Sequence, residues 1–168
     1  TAHNNLGLID LECGNIETAI TSFEWAVAYN PEYAEAHNNL GAAFQELNQF
    51  DAAIKQYKKA VTINPEYAQA FNNLGISCES LGFKVEALNH YEKAITIKLD
   101  FSEAHFNLSG VKKYIKSDNQ IPTMQSLLSS NKLNQSGQIF INFALAKAND
   151  DLENHDALFK FLNEGNRL

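Results

Sequence analysis

The chain has 168 residues, an apolar share of 45% and a formal charge of -7, from 20 Asp and Glu against 13 Lys and Arg. That apolar share is enough to bury a core and excludes wholesale disorder. The acid excess argues against a general nucleic-acid or anionic-membrane binder, since both need a basic face. No apolar run approaches the length of a transmembrane helix, and no basic-then-apolar leader opens the chain.

Taken in order, a helix from Ala2 to about Cys13 stops at Gly14-Asn15, a glycine signal for a helix C-terminus. A second helix, Ile16 to Tyr29, carries Ala19, Ile20, Phe23, Ala26 and Val27 at helical spacing and ends at Asn30-Pro31. The next pair repeats the plan with Ala36, Leu40, Ala43, Phe44 and Leu47, then Phe50, Ala53, Ile54, Tyr57, Ala60 and Val61, closed by Asn64-Pro65. Its turn, Asn48-Gln49, has no glycine, so one of its residues is expected in an uncomfortable backbone conformation.

A third pair uses Phe71, Leu74, Cys78 and Leu81, then Gly82, then Ala87, Leu88, Tyr91, Ala94 and Ile95, with Lys98-Leu99 where the closing proline stood before. A fourth begins with Ala104, Phe106, Leu108, Val111 and Ile115, but the polar run Ser117 to Gln120 replaces the tight turn. A short second helix then starts near Pro122, with Met124, Leu127 and Leu128 on its apolar face, and Asn131 to Gly137 reads as a polar loop. A degenerate last pair follows, Gln138 to about Asp151 and His155 to about Glu164.

The motif Asn4-Asn5-Leu6-Gly7 recurs as Asn38-Asn39-Leu40-Gly41 and Asn72-Asn73-Leu74-Gly75, with a worn copy, Phe106-Asn107-Leu108-Ser109. Its final small residue steps through 7, 41, 75 and 109, an interval of 34 residues. Ala146, 37 residues beyond Ser109, holds the same place after a three-residue insertion. Thr1 falls inside a repeat, so the chain reads as an excerpt of a longer one. Cys13 and Cys78 lie on the apolar sides of their helices and read as small core residues, not a disulfide.

These residues resemble the tetratricopeptide repeat family, whose pattern asks for small residues where Gly7, Ala19 and Ala26 stand and for proline at Pro31. Gly41, Ala53, Ala60 and Pro65 match again, as do Gly75, Ala87 and Ala94, while Phe23, Tyr57 and Tyr91 are the bulky residues that fill the spaces between helices. The resemblance implies an all-α solenoid of helix–turn–helix repeats coiled as a right-handed superhelix. Residues 1–116 form the array, three full repeats plus the first helix of a fourth. Residues 117–168 hold a variant second helix, a longer loop and the degenerate pair.

In that fold the first helices line a concave groove, and Asn5, Asn39, Asn73 and Asn107 would face it. Each amide is both donor and acceptor, so a row of them can hold the backbone of an extended peptide whatever its sequence. The row is similar to the asparagine ladder of the O-linked N-acetylglucosamine transferase superhelix. The same amides could instead bond the neighbouring repeat, as buried polar groups must find partners. Asn38 and Asn72, with Asn4, form a second row on the groove flank, in place of the lysines and arginines by which the family clamps C-terminal carboxylates. Glu35 and Gln69 open their helices, and Glu46 and Glu79 lie near the ends, so the groove would be acidic and favour a neutral to basic peptide. Glutamate at a helix start also suits the macrodipole without any ligand.

His3, His37 and His105 share one repeat position with Phe71, but packed helices stand about 10 Å apart and zinc bonds are about 2 Å, so no metal is expected there. No phosphate loop, nucleophile elbow or Cys-x-x-Cys pair occurs, so no catalytic residue and no cofactor is assigned. The expected function is a non-catalytic, cytoplasmic scaffold that binds a peptide or partner segment in its groove, with no nucleic acid and no membrane. Weak self-association through exposed terminal repeats is expected as well. The alternative is a substrate-recruiting arm of a larger transferase, because the stretch from Phe143 to Leu152 and that from Phe161 to Leu168 are similar to the last repeat of tetratricopeptide-repeat sulfotransferases.

Overall fold

The computed structural model describes residues 1–130 and 132–168. Among them the chain is helical, in the order α1 (Ala2–Glu12), α2 (Ile16–Tyr29), α3 (Ala34–Glu46), α4 (Phe50–Ile63), α5 (Ala68–Ser80), α6 (Lys84–Ile97), α7 (Ser102–Val111), α8 (Gln120–Ser129), α9 (Gln135–Asp151) and α10 (His155–Arg167). Two compact units divide it, residues 1–90 and residues 91–168, with the boundary inside α6.

In the first unit each helix packs on the next, α1 on α2, α2 on α3, α3 on α4 and α4 on α5. Left-handed residues make the reversals: Gly14 at φ +78° and Gly82 at +81°, where a Cβ would be strained, and Asn48 at +57°. Asn48 is thus the uncomfortable residue expected in the turn without glycine. The hairpins are joined by Asn-Pro-Glu, in which Asn30 Oδ1 accepts from the Glu32 amide (3.2 Å) and Asn64 Oδ1 from the Glu66 amide (3.0 Å). These bonds fix the chain as it leaves one hairpin for the next.

Size matching holds each hairpin closed. A Cβ placed on Gly7 would lie 2.6 Å from the Phe23 ring, and one on Gly41 would lie 2.7 Å from the Tyr57 ring. Both rings are fully buried, and Phe23 joins Ala19, Leu40 and Ala43 in one core. Tyr57 also donates its hydroxyl to Gln45 Oε1 (3.2 Å), which accepts from Ser77 as well (3.0 Å). Burial, and behind it Glu46, raises the Tyr57 phenol far above its usual range, so it stays a donor.

The second unit is built differently. Its core is Tyr114, Met124, Ile141, Ala144, Leu145 and Ala148, with α9 against α7, α8 and α10. The helix expected to continue through Ile115 stops at Val111, and Lys112 is already extended (φ -89°, ψ 141°). Polar groups hold the stretch that follows. Asp118 accepts from the Ile115 amide (2.8 Å) and pairs with Lys112 (2.7 Å), while the Tyr114 amide donates to Asp151 (3.0 Å). The result reverses the expected packing: Tyr114 is buried and Ile115 is 61% exposed.

Two further expectations are corrected. The polar loop ends early, since α9 begins at Gln135 with Asn134 capping the Gly137 amide (2.8 Å); Asn131 lies outside the described residues. Cys78 is buried as expected, but Cys13 is exposed: it is still helical, at the open end of α1 just before the reversal at Gly14.

Candidate peptide-binding face

The two rows of asparagines lie on the first helices of their hairpins, and in the first unit these helices are α1, α3 and α5. Asn4, Asn38 and Asn72 are buried, Asn39 and Asn73 are half-buried and Asn5 is exposed. Hydrogen bonds link the rows from one repeat to the next. Asn39 Nδ2 donates to Asn4 Oδ1 (3.0 Å), and Asn73 Nδ2 donates to Asn38 Oδ1 (3.1 Å). Asn38 Nδ2 donates to Asn39 Oδ1 (3.4 Å) and Gln69 Nε2 to Asn73 Oδ1 (3.0 Å). The row on the flank is therefore the buried acceptor of the row beside it. In the second unit Asn107 sits half-buried on α7.

These bonds use half of what each amide offers. A carboxamide has two N–H donors and two acceptor lone pairs, and Asn39 and Asn73 each give one donor and one lone pair to the bonds just described. The remainder sits on a half-buried group whose scaffold partners already fix its orientation.

Carboxylates stand around this face. Glu35, exposed at the start of α3, accepts from Asn4 Nδ2 (3.5 Å) and from the Tyr33 hydroxyl (3.4 Å). Gln69 is exposed one repeat later, and Glu46 and Glu79 are exposed at the other ends of α3 and α5. Sequence reasoning passed over Tyr33 and Tyr67, which immediately precede α3 and α5 and are half-buried. Burial and the Glu35 charge raise both phenols, so both remain donors at neutral pH. The signal was present in Pro31-Glu32-Tyr33-Ala34 and its copy Pro65-Glu66-Tyr67-Ala68.

The histidine column is structural. His37 Nε2 donates to the Pro31 carbonyl (3.0 Å) and His105 Nε2 to the Leu99 carbonyl (2.9 Å), each tying its helix to the segment that leads into it. His3 is exposed beside Trp25. Among the described residues no three His, Cys, Asp or Glu side chains gather as metal ligands, and no helix is long and apolar enough to cross a membrane.

Family models for the tetratricopeptide repeat match residues 34–67 and, in a second form, residues 7–48. No curated protein matches the chain. Among solved structures it is similar to MamA, at 19% identity, covering 96% of this chain and 92% of that one with a TM-score of 0.70. It is also similar to the first tetratricopeptide-repeat domain of Spaghetti (RPAP3) bound to the HSP90 peptide SRMEEVD, at 22% identity over 66% and 87% of the two chains, TM-score 0.65. The tetratricopeptide-repeat domain of Arabidopsis OM64 is 24% identical over 68% and 94%, TM-score 0.65. At these identities the likeness is one of fold: an all-α solenoid.

Proposed function

The chain is a protein of the tetratricopeptide-repeat family, and from that premise we propose that it is a non-catalytic scaffold that holds an extended, neutral to basic peptide against α1, α3 and α5. The observation that carries this reading is the half-used amides of Asn39 and Asn73 on a face bordered by Glu35, Glu46, Gln69 and Glu79. A peptide backbone offers alternating N–H and C=O groups, which the remaining acceptor and donor of each amide match. Asn5 extends the same row within the first unit, Asn107 holds the equivalent sequence position on α7, and the buried Asn38 and Asn72 belong to the row behind Asn39 and Asn73.

The charge of the ligand follows from the first unit, which carries eleven Asp and Glu against four Lys. The solved relative holds the acidic peptide SRMEEVD. Asparagines at 4, 38 and 72 and carboxylates around them favour the opposite sign here. We place the protein in a reducing, cytoplasmic setting, which suits the free thiols of Cys13 and Cys78. Weak self-association through exposed terminal repeats belongs to the same reading; light scattering across concentration tests it.

Calorimetric titration with twelve-residue unstructured peptides, matched except for Lys or Glu at four places, tests the main proposal. Lysine peptides are expected to bind more tightly, and more weakly as salt rises. Asn39→Ala and Asn73→Ala are each expected to weaken them about two- to tenfold, the net worth of one or two hydrogen bonds. Unchanged affinity in both folded variants would remove the proposal.

A further inference from the structure

The register that places asparagine at 4, 38 and 72 places phenylalanine at 106, three residues before Ser109. Counted back from Ala146, the next small residue of the series, it places phenylalanine at 143 too. In the second unit these two positions come together. Phe106 of α7, Phe143 and Ala146 of α9, and Leu158 and Leu162 of α10 surround a cavity of about 620 Å³, with Lys147 and Asp150 also lining it. Where the buried column of the first unit bonds amide to amide, its continuation opens an apolar hollow.

The hollow is preformed. Phe106 is 39% exposed, yet its ring rests against that of Phe140, with centroids 5.5 Å apart. The far end of the Phe143 ring lies 3.4 Å from where a Cβ on Gly165 would stand, so α10 supports it from behind. Leu158 and Leu162 are four residues apart and share one face of α10; Phe143, Ala146, Lys147 and Asp150 form one stripe of α9. The stripe is about 10 Å long at the rise of an α-helix, which suits a side chain and its flanking residue better than a whole docked helix. The charges are asymmetric: Lys147 is paired with Asp151, while Asp150 is exposed and makes no ion pair among the described residues.

We infer that this cavity takes one bulky aliphatic or aromatic side chain of a peptide whose neighbouring residue is Lys or Arg. Apolar walls from three helices desolvate the anchor, and the Asp150 carboxylate faces the cation beside it. The site goes beyond the amide face, uses none of its residues and stands whether or not that face binds a ligand.

Chemical-shift titration of the methyl groups of Ala146, Leu158 and Leu162 in the full chain tests it, with N-acetyl-leucyl-arginine amide as the probe. Saturable shifts of these methyls are expected. N-acetyl-alanyl-arginine amide should bind about tenfold or more weakly, because most of the anchor's buried surface is gone. N-acetyl-leucyl-glutamate amide should bind about two- to fivefold more weakly, and Asp150→Lys, on an exposed position, should reverse that preference. Asn39→Ala should leave all of these shifts unchanged, which separates this site from the amide face. Equal binding of the leucyl and alanyl probes, equal binding of the arginine and glutamate probes, or shifts absent from these methyls would overturn the inference.

Discussion

The two units reach a similar helical packing by different means. In residues 1–90, eleven Asp and Glu face four Lys, and the hairpins close on glycine against ring, Gly7 on Phe23 and Gly41 on Tyr57. In residues 91–168, acids and bases are balanced at nine each, and the irregular stretch after α7 is held by carboxylates, Asp118 and Asp151, that take backbone amides. The first mode depends on volume, on a glycine leaving room for a ring. The second depends on particular charged groups, so its stability follows charge and pH.

The largest expected effect falls on the first mode. Phe23→Ala removes a fully buried ring from between Ala19, Leu40 and Ala43, and should cost about 3–5 kcal/mol in denaturant unfolding. Asp151→Ala strips an acceptor from the buried Tyr114 amide and a partner from Lys147, and should cost about 1–3 kcal/mol. Amide hydrogen exchange should place that loss in α8 and α9 and leave α1 to α4 protected. If both substitutions loosen both units alike, the contrast between them is wrong.

Smaller effects sharpen the comparison at the reversals. Glu153 lies at φ +57° in the turn between α9 and α10, as Asn48 does in the turn between α3 and α4. Asparagine enters this region readily and glutamate does not. Glu153→Gly should therefore stabilise by about 1 kcal/mol, seen as a higher melting temperature, and Asn48→Gly by less. Last comes pH. Burial lowers the affinity of His105, and of His90, for a proton below that of the unfolded chain. The unfolded state then binds more protons as pH falls through about 6.5, the ordinary histidine value. Stability is complete above that pH and declines below it. His105→Phe, which copies Phe71 of the preceding repeat, should flatten the decline, read as melting temperature between pH 7 and 5.

Much of this was legible in the chain. Size-matched packing recurs with the repeat, so Gly41 and Tyr57 announce themselves through Gly7 and Phe23. The polar stretch after α7 was not legible, because the bond from Tyr114 to Asp151 spans the one lengthened repeat, and the earlier repeats place Glu12, Glu46 and Ser80 at the same register position. The asparagine rows were visible as rows. Their pairing was not: Asn39 reaches back 35 residues to Asn4, one more than the repeat, a step that depends on how neighbouring helices face each other. The insertion before Ala146 concealed that Phe143 continues the column of Asn4, Asn38, Asn72 and Phe106.

The side-chain amide resonances of Asn39 and Asn73, followed by heteronuclear NMR while a lysine-bearing extended peptide is added at low salt, test the central claim most directly. The account expects both to shift with the same saturation curve that calorimetry records, since their remaining donors and acceptors meet the peptide backbone. Saturating binding with both amide signals unmoved would contradict it.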